Sequence, residues 1–126
     1  MVELPPGTSL LDDRVVRSAL RAGASDWLKH LEIHPAIDST NLRLARLTPG
    51  DEVAGMLLMA ELQTMGRGRR GRQWFSPFTG SLAMSLGFHL DHSPAELGGL
   101  SLAVGLGVAA ALEEAGVDGV NLKWPN

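Results

Sequence analysis

The 126-residue sequence predicts an α+β fold, a mixed β-sheet flanked by helices, on three observations. Leu82, Met84, Leu86, Phe88 and Leu90 alternate strictly with Ala83, Ser85, Gly87 and His89, the period-two signature of a strand. The run Met56-Leu57-Leu58-Met59-Ala60 is apolar at every position, as expected of a central strand covered on both faces. Helical patterns are interleaved with these, in the order helix, strand, helix, strand, loop, strand, helix, strand, which suits a mixed sheet with helices packed on it.

Each element has its own local reason. After a Pro/Gly-rich start, Asp12 or Asp13 can cap a short helix whose apolar positions Val15, Val16, Ala19 and Leu20 recur at helical spacing, with Gly23 as its stop. Leu31, Ile33 and Ile37 mark a strand interrupted by Pro35, hence an edge strand or a strand end. Asp38-Ser39-Thr40-Asn41 is a run of four capping-type residues before Leu42, Leu44, Ala45 and Leu47, and predicts a strand-to-helix turn with outward N–H groups suited to an anion or a carbonyl. Pro49-Gly50-Asp51-Glu52 reads as a turn, and the strand after it delivers Gln63 to the next loop. Ser76-Pro77-Phe78-Thr79-Gly80 is a second turn, leading into the alternating strand. Ser93-Pro94-Ala95-Glu96 is a capping box with Pro at the first helical position, and predicts a buried helix to about Ala115 with Gly116 beyond it. Gly98, Gly99, Gly105 and Gly107 each cost ~1 kcal/mol relative to Ala in a helix interior and therefore imply close packing. Val120, Leu122 and Trp124, alternating with Asn121 and Lys123, predict a last strand that stops at Pro125-Asn126.

Composition limits the function classes. Hydrophobic residues at 44% and charged residues at 20% describe an ordinary soluble domain, with no repeat, low-complexity tract or interdomain linker. The absence of cysteine removes disulfides, thiolate nucleophiles and zinc–thiolate sites together. Met1 to Gly7 lacks the basic-then-apolar pattern of a signal peptide, and the apolar run Leu97 to Leu112 is shorter than the ~20 residues that span a bilayer, so a cytoplasmic protein without a membrane is expected. His30, His34, His89 and His92 show no metal-ligand spacing, and no Gly-x-Ser-x-Gly elbow is present.

The chemistry concentrates in Gly66-Arg67-Gly68-Arg69-Arg70-Gly71-Arg72-Gln73-Trp74. Four of the eleven Lys and Arg residues fall in seven positions of a chain whose net charge is -3, so a local anion site is expected rather than a general nucleic-acid surface. Each guanidinium is a fixed fork of donors that matches phosphate or carboxylate. Glycines between the arginines admit unusual backbone angles and close ligand approach. A strand follows where a P-loop would need a Lys-Ser/Thr pair opening a helix. The bland readings are a solvated basic loop or an RNA-binding arginine-glycine segment, plain capping for Ser39 to Asn41, an idle strand-end residue for Gln63, and core for Trp74. Trp74 beside a phosphate site also offers a stacking surface for a base.

Taken together, Asp38-Ser39-Thr40-Asn41, Ala60-Glu61-Leu62-Gln63, Gly66 to Arg72 with Trp74 and Ser76-Pro77, and Lys123-Trp124-Pro125-Asn126 resemble the biotin protein ligases in order and spacing, from about Leu31 to Asn126. The resemblance implies a class II synthetase-like catalytic domain. It also implies a two-step ligase: biotin attacks the α-phosphate of ATP to give biotinyl-5'-adenylate, which then acylates a lysine of a biotin carboxyl carrier domain. By the same resemblance, Ser39, Thr40, Asn41 and Gln63 would hold the biotin ring system, and Gly66, Arg67, Gly68 and Arg69 would clasp its carboxylate and the adenylate phosphate. Arg69, Arg70, Arg72, Trp74, Lys123 and Asn126 would contact the nucleotide, with Arg69 and Arg72 closest to the chemistry. Mg²⁺ is implied with the ATP, and no metal ligand is named. The family pattern further suggests residues 1–30 as lead-in and 31–126 as the motif-bearing part of a truncated catalytic domain, without the winged-helix DNA-binding domain or the small C-terminal β domain. On that expectation the chain alone is not a competent enzyme, does not bind DNA, and shares the family's tendency to form homodimers. The other readings are a lipoate or octanoate attachment enzyme of the same fold, whose motif differs, and a non-catalytic module that binds biotin or RNA.

Overall fold

The computed structural model describes residues 10–47, 53–78 and 80–123. The chain divides into two compact units, Met1–His89 and Leu90–Asn126.

In the first unit, β1 (His30–His34) runs parallel to β2 (Met56–Ala60), which runs antiparallel to β3 (Ala83–Gly87), in the order β1-β2-β3. The sheet is therefore mixed, as expected, and the all-apolar strand is its centre. Three short helices accompany it: α1 (Asp13–Ala19), α2 (Ala22–Trp27) and α3 (Thr40–Ala45). Asp12 caps α1 by accepting from the Arg14 and Val15 amides at 2.9 and 3.1 Å. The helix ends at Leu20, whose backbone is extended, rather than at Gly23. Gly23 instead lies inside α2, where nothing stands within 4 Å of the position a Cβ would take, so it stops no helix. Pro35 closes β1 as read, and Ile37 resumes pairing as a single bridge to Gln63.

Alternation along β2 feeds two cores. Leu57 and Met59 pack with Leu28, backed by Leu11, Val16, Leu20, Trp27, Leu31 and Ile33 from α1, α2 and β1. Met56 and Leu58 face the opposite way, onto Leu44 of α3 with Leu47 and Val53. Leu58 is 0% exposed. Glu61, just beyond the strand, is buried and accepts from the Leu11 amide at 2.6 Å, tying the N-terminal segment to the end of β2.

Register decides which side of β3 faces which layer. Met84 and Leu86 stand opposite Met59 and Leu57, while Ala83, Ser85 and Gly87 stand opposite Ala60, Leu58 and Met56 on the α3 side. The small residues are thus the more buried set, and the large apolar ones stay exposed at about half their area. A Cβ on Gly87 would lie 2.1 Å from the Val53 carbonyl oxygen, so that approach requires glycine.

The second unit departs from expectation. Its helix α4 (Leu100–Glu114) begins six residues after Pro94, because Ser93 to Gly99 form turns with i→i+3 bonds before the regular helix starts. The capping box is nevertheless present: the Ser93 hydroxyl and amide both donate to Glu96, at 2.7 and 2.8 Å, and hold its carboxyl below the usual range. Helix α4 stops as read, with Gly116 at φ 85°. None of its described residues is buried, contrary to the expectation of a core helix. Leu100, Leu102, Val104, Leu106, Val108 and Leu112 are all exposed. Its apolar residues lie on every side rather than along one stripe, so no single face is marked for burial. By length and composition alone, the 21 residues Pro94–Glu114 would suffice to cross a membrane, a test that the core helix of a soluble protein also passes. Residues 120–123 form no strand, since strand geometry needs a partner edge and none pairs with them among the described residues. The expected strand's Trp124 and its end at Pro125-Asn126, like the turn at Pro49 to Glu52, lie outside the described residues.

Leu58→Ala is expected to lower unfolding stability by about 3 kcal/mol through the cavity it leaves. Gly87→Ala should cost about 2 kcal/mol or more by overpacking against the Val53 carbonyl. Urea denaturation followed by circular dichroism measures both.

Candidate functional site

At the C-terminal end of β2 the chain turns past Gln63, which bridges to Ile37 on one side and to Ser76 on the other. These bridges bring the α3 start, the strand end and the Ser76 turn together around a cavity of about 430 Å³. Its walls include Ser39, Thr40, Asn41, Gln63, Arg67 and Trp74, all anticipated, together with Ser76, Ser81, Met84 and Ser85. The volume is in the range of small-molecule pockets.

The α3 corner is locked from several directions. The Ser39 hydroxyl accepts from the Leu42 amide at 3.3 Å as N-cap. Asp38 Oδ1 accepts from the Ser39 amide at 2.7 Å, and its other oxygen pairs with Arg46 at 2.9 Å. The Ser39 N–H, aided by the Arg46 guanidinium, holds the Asp38 carboxyl below the ordinary carboxylate value. Glu32 on β1 receives Arg43 at 3.3 Å and His34 at 3.1 Å, fastening the outer side of α3 to the sheet.

Gln63 Oε1 accepts twice from Thr40, from the backbone N–H at 2.8 Å and from the hydroxyl at 3.1 Å. The Thr40 hydroxyl also meets the Ser85 hydroxyl at 2.9 Å. Ser39 and Thr40 are buried, at 5% and 3% exposure, so these bonds form where water competes little. Among the described residues no buried side-chain nitrogen or oxygen lacks a partner.

The arginine segment is not a loose loop. The Trp74 amide donates to the Gly66 carbonyl at 2.7 Å, the Gly68 amide to Arg72 at 2.7 Å, and Arg67 bridges antiparallel to Gln73, which makes a narrow hairpin. Its tip is one 3₁₀ turn, Arg69–Gly71, with Arg70 at φ 59° and Gly71 at φ 73°. For Arg70 the left-handed backbone is a strained choice, costing roughly 1–2 kcal/mol. At the base Gly66 is closely packed: a Cβ there would sit 3.0 Å from the Trp74 carbonyl and 3.3 Å from Gln63 Nε2. A second cavity of about 380 Å³ is lined by Met65, Gly66, Arg67, Gly71, Arg72 and Gln73. Arg67 borders both cavities. Arg67, Arg69, Arg70 and Arg72 are all exposed, and among the described residues none has an acidic partner. Four unpaired guanidiniums on one hairpin form a strongly anion-attracting surface.

Of the anticipated residues, Ser39, Thr40, Asn41, Gln63, Arg67 and Trp74 meet in one cavity, and Gly66, Arg67 and Arg72 in its neighbour. Gly68, Arg69 and Arg70 belong to the hairpin but line neither cavity. Lys123 is an exposed residue of the second unit, and Asn126 lies outside the described residues. Trp74 is 61% exposed, so it is a wall of the cavity rather than core. Ser76 and Ser85 were read from sequence only as parts of a turn or motif and of a strand, and Ser81 not at all, so none was given a site role. The parity of the alternating strand was the available signal for Ser85, since it places Ser85 on the face of Ala83 and Gly87. The described residues hold no group of three or more histidine or carboxylate side chains able to bind a metal ion.

The first unit is thus a mixed sheet with an arginine-rich hairpin beside a polar pocket. The chain belongs to the biotin/lipoate A/B protein ligase family, which matches residues 34–126. It is 41% identical over 127 residues to the bifunctional ligase/repressor BirA of Salmonella typhimurium and 40% identical over 123 residues to BirA of Escherichia coli, covering 98% of this chain and 36% of each relative. It is 38% identical over 121 residues to the Mycobacterium tuberculosis protein named as the biotin ligase of acetyl-CoA carboxylase, covering 92% of this chain and 45% of that one. The chain thus spans between about a third and just under half the length of these relatives.

The lowered Asp38 pKa makes the α3 corner pH-dependent. Because the folded value lies below the unfolded one, ordinarily near 3.8, its stabilisation is complete above that value and is lost as pH falls through the folded value. Asp38→Asn should be less stable than the parent at pH 7 and lose less stability between pH 4 and pH 2, as read by denaturation midpoints across that range.

Proposed function

We propose that this chain carries the biotin- and nucleotide-binding part of a biotin protein ligase catalytic domain. The observation that carries the reading is the meeting, in one pocket, of Ser39, Thr40, Asn41 and Gln63 with Arg67 of an unneutralised arginine hairpin. Family membership supports it, and so does the similarity to the BirA ligase/repressors and to the Mycobacterium tuberculosis biotin ligase.

Biotin joins an uncharged polar ring system to a carboxylate, and the two cavities sharing Arg67 offer matching environments. The ring system lies against the α3 corner and Gln63, with Asn41 at the rim, and the carboxylate points toward Arg67 and the hairpin. Gly66 and Gly68 let the hairpin backbone approach it closely. In the first step a biotin carboxylate oxygen forms a bond to the α-phosphorus of ATP and the bond to pyrophosphate breaks. Two anions must approach, and Arg69, Arg70 and Arg72 offset their repulsion and the charge that builds on the phosphoryl oxygens. Arg69 and Arg72 act closest to the reacting atoms. Trp74 offers its exposed face to the adenine. In the second step a lysine amine of a biotin carboxyl carrier domain attacks the acyl carbon, AMP leaves, and the amine proton is released. The hairpin closing over the mixed anhydride keeps water from it. An ATP-consuming modification of a carboxylase subunit belongs in the cytoplasm, and residues 31–126 carry the motifs for it.

Titration calorimetry is the test. Biotin should bind with measurable heat, and Gln63→Ala and Arg69→Ala should each weaken it about tenfold or more. Absence of biotin heat, together with RNA binding that falls steeply with salt, would overturn the reading.

A further inference from the structure

The hydrogen-bond network at α3 contains one hydroxyl whose role follows from proton counting. Gln63 faces the Thr40 backbone N–H, which can only donate, so the carboxamide atom at that position must be the oxygen. That settles the amide's orientation chemically, with Oε1 toward Thr40 and the two Nε2 protons turned away toward Gly66 and the cavity. Oε1 has no proton to give, so the contact from Thr40 Oγ1 at 3.1 Å must use the single Thr40 hydroxyl proton. Thr40 Oγ1 can then only accept in its 2.9 Å contact with Ser85, and the Ser85 hydroxyl must donate. Each proton has one place to go, and the direction runs from Ser85 through Thr40 to Gln63.

We infer that Ser85 is a specificity-determining residue of this pocket: its proton is committed to Thr40, so it offers the ligand only acceptor lone pairs, in the same cavity as the Gln63 amide donors. This rests on the reading that the pocket takes biotin, and it deepens that reading. A ligand group complementary to an N–H₂ donor and a hydroxyl acceptor presents a carbonyl oxygen and an N–H, which is the pattern of a cyclic urea. Ser85 is also a positioning residue, because its donation holds the Thr40 hydroxyl in the rotamer that pins Gln63. Register places it there: Ser85 stands opposite fully buried Leu58 and on the α3 side of β3, while its neighbours Met84 and Leu86 point to the other face.

Two variants and two readouts test this. In the ligand-free protein, Ser85→Ala should shift the Gln63 side-chain amide resonances in ¹H–¹⁵N spectra, whereas Ser85→Thr, which keeps the hydroxyl, should leave them near the parent positions. In calorimetry, Ser85→Ala should weaken biotin about tenfold, the loss of one hydrogen bond, with ATP affinity unchanged, and Ser85→Thr should recover most of it. The parent should also prefer biotin over a biotin methylated on a ureido nitrogen, and Ser85→Ala should narrow that preference. Unmoved Gln63 resonances, or biotin affinity in Ser85→Ala equal to the parent's, overturn the inference. Equal losses for biotin and ATP also overturn it, by pointing to a folding defect. If the parent protein itself binds no biotin, the assignment of the ligand fails, while the Gln63 resonances still decide the direction of the network.

Discussion

Gln63 leaves the end of β2 with its carboxamide oxygen already held by Thr40, through a backbone amide and a hydroxyl at once. Two bonds to one acceptor, both from buried Thr40, restrain the side chain of the half-buried Gln63. The α3 corner, the strand end and β3 all meet in that contact, because Ser85 donates into it from the third strand. A pocket wall built this way is rigid before any ligand arrives, so little ordering is left for binding to supply.

The hairpin beside it works on a different principle. Its backbone is closed by the Gly66–Trp74 and Gly68–Arg72 bonds, but its arginines are exposed and lack acidic partners among the described residues. The field of that charge depends little on where each guanidinium points, whereas the Thr40–Gln63 corner depends on angles and on single protons. A rigid recognition surface for an uncharged polar group next to an adaptable, strongly positive arm suits a ligand that is neutral at one end and anionic at the other. Arg70, held at a left-handed backbone angle, marks the tip as the place where local strain is stored.

The exposed, largely apolar α4 and the half-exposed Met84, Leu86 and Phe88 leave much apolar surface uncovered among the described residues. Aromatic contact between Trp27 and Phe88, with centroids 4.8 Å apart, covers part of the β3 face, yet α1 and α2 together are only 13 residues of helix and reach mainly β1 and β2. The sheet's two cores are complete where β2 lies and thin toward β3.

Much of this was legible residue by residue. Five apolar positions in a row could only be a buried central strand, and the four capping residues after Ile37 could only open a helix, because local chemistry leaves few other uses for those patterns. The same held for the arginine–glycine run, whose charge density speaks without a fold. Where the sequence misled, the deciding term was non-local. Gly23 was open to helix because nothing crowds it, the glycine pair before Leu100 kept the regular helix from starting at Pro94, and Val120 to Lys123 had the strand period but no edge to pair with. Which face of β3 turns inward was settled by register against β2, since alternation alone treats the two faces as equals. The sequence by itself determined the three strands of the sheet, the α3 cap and the concentrated positive charge of the arginine hairpin. Only the tertiary structure set Ser85, Thr40 and Gln63 in one line of donated protons, because hydrogen bonds between residues 23 and 45 positions apart exist only once the sheet has brought them within 3.1 Å.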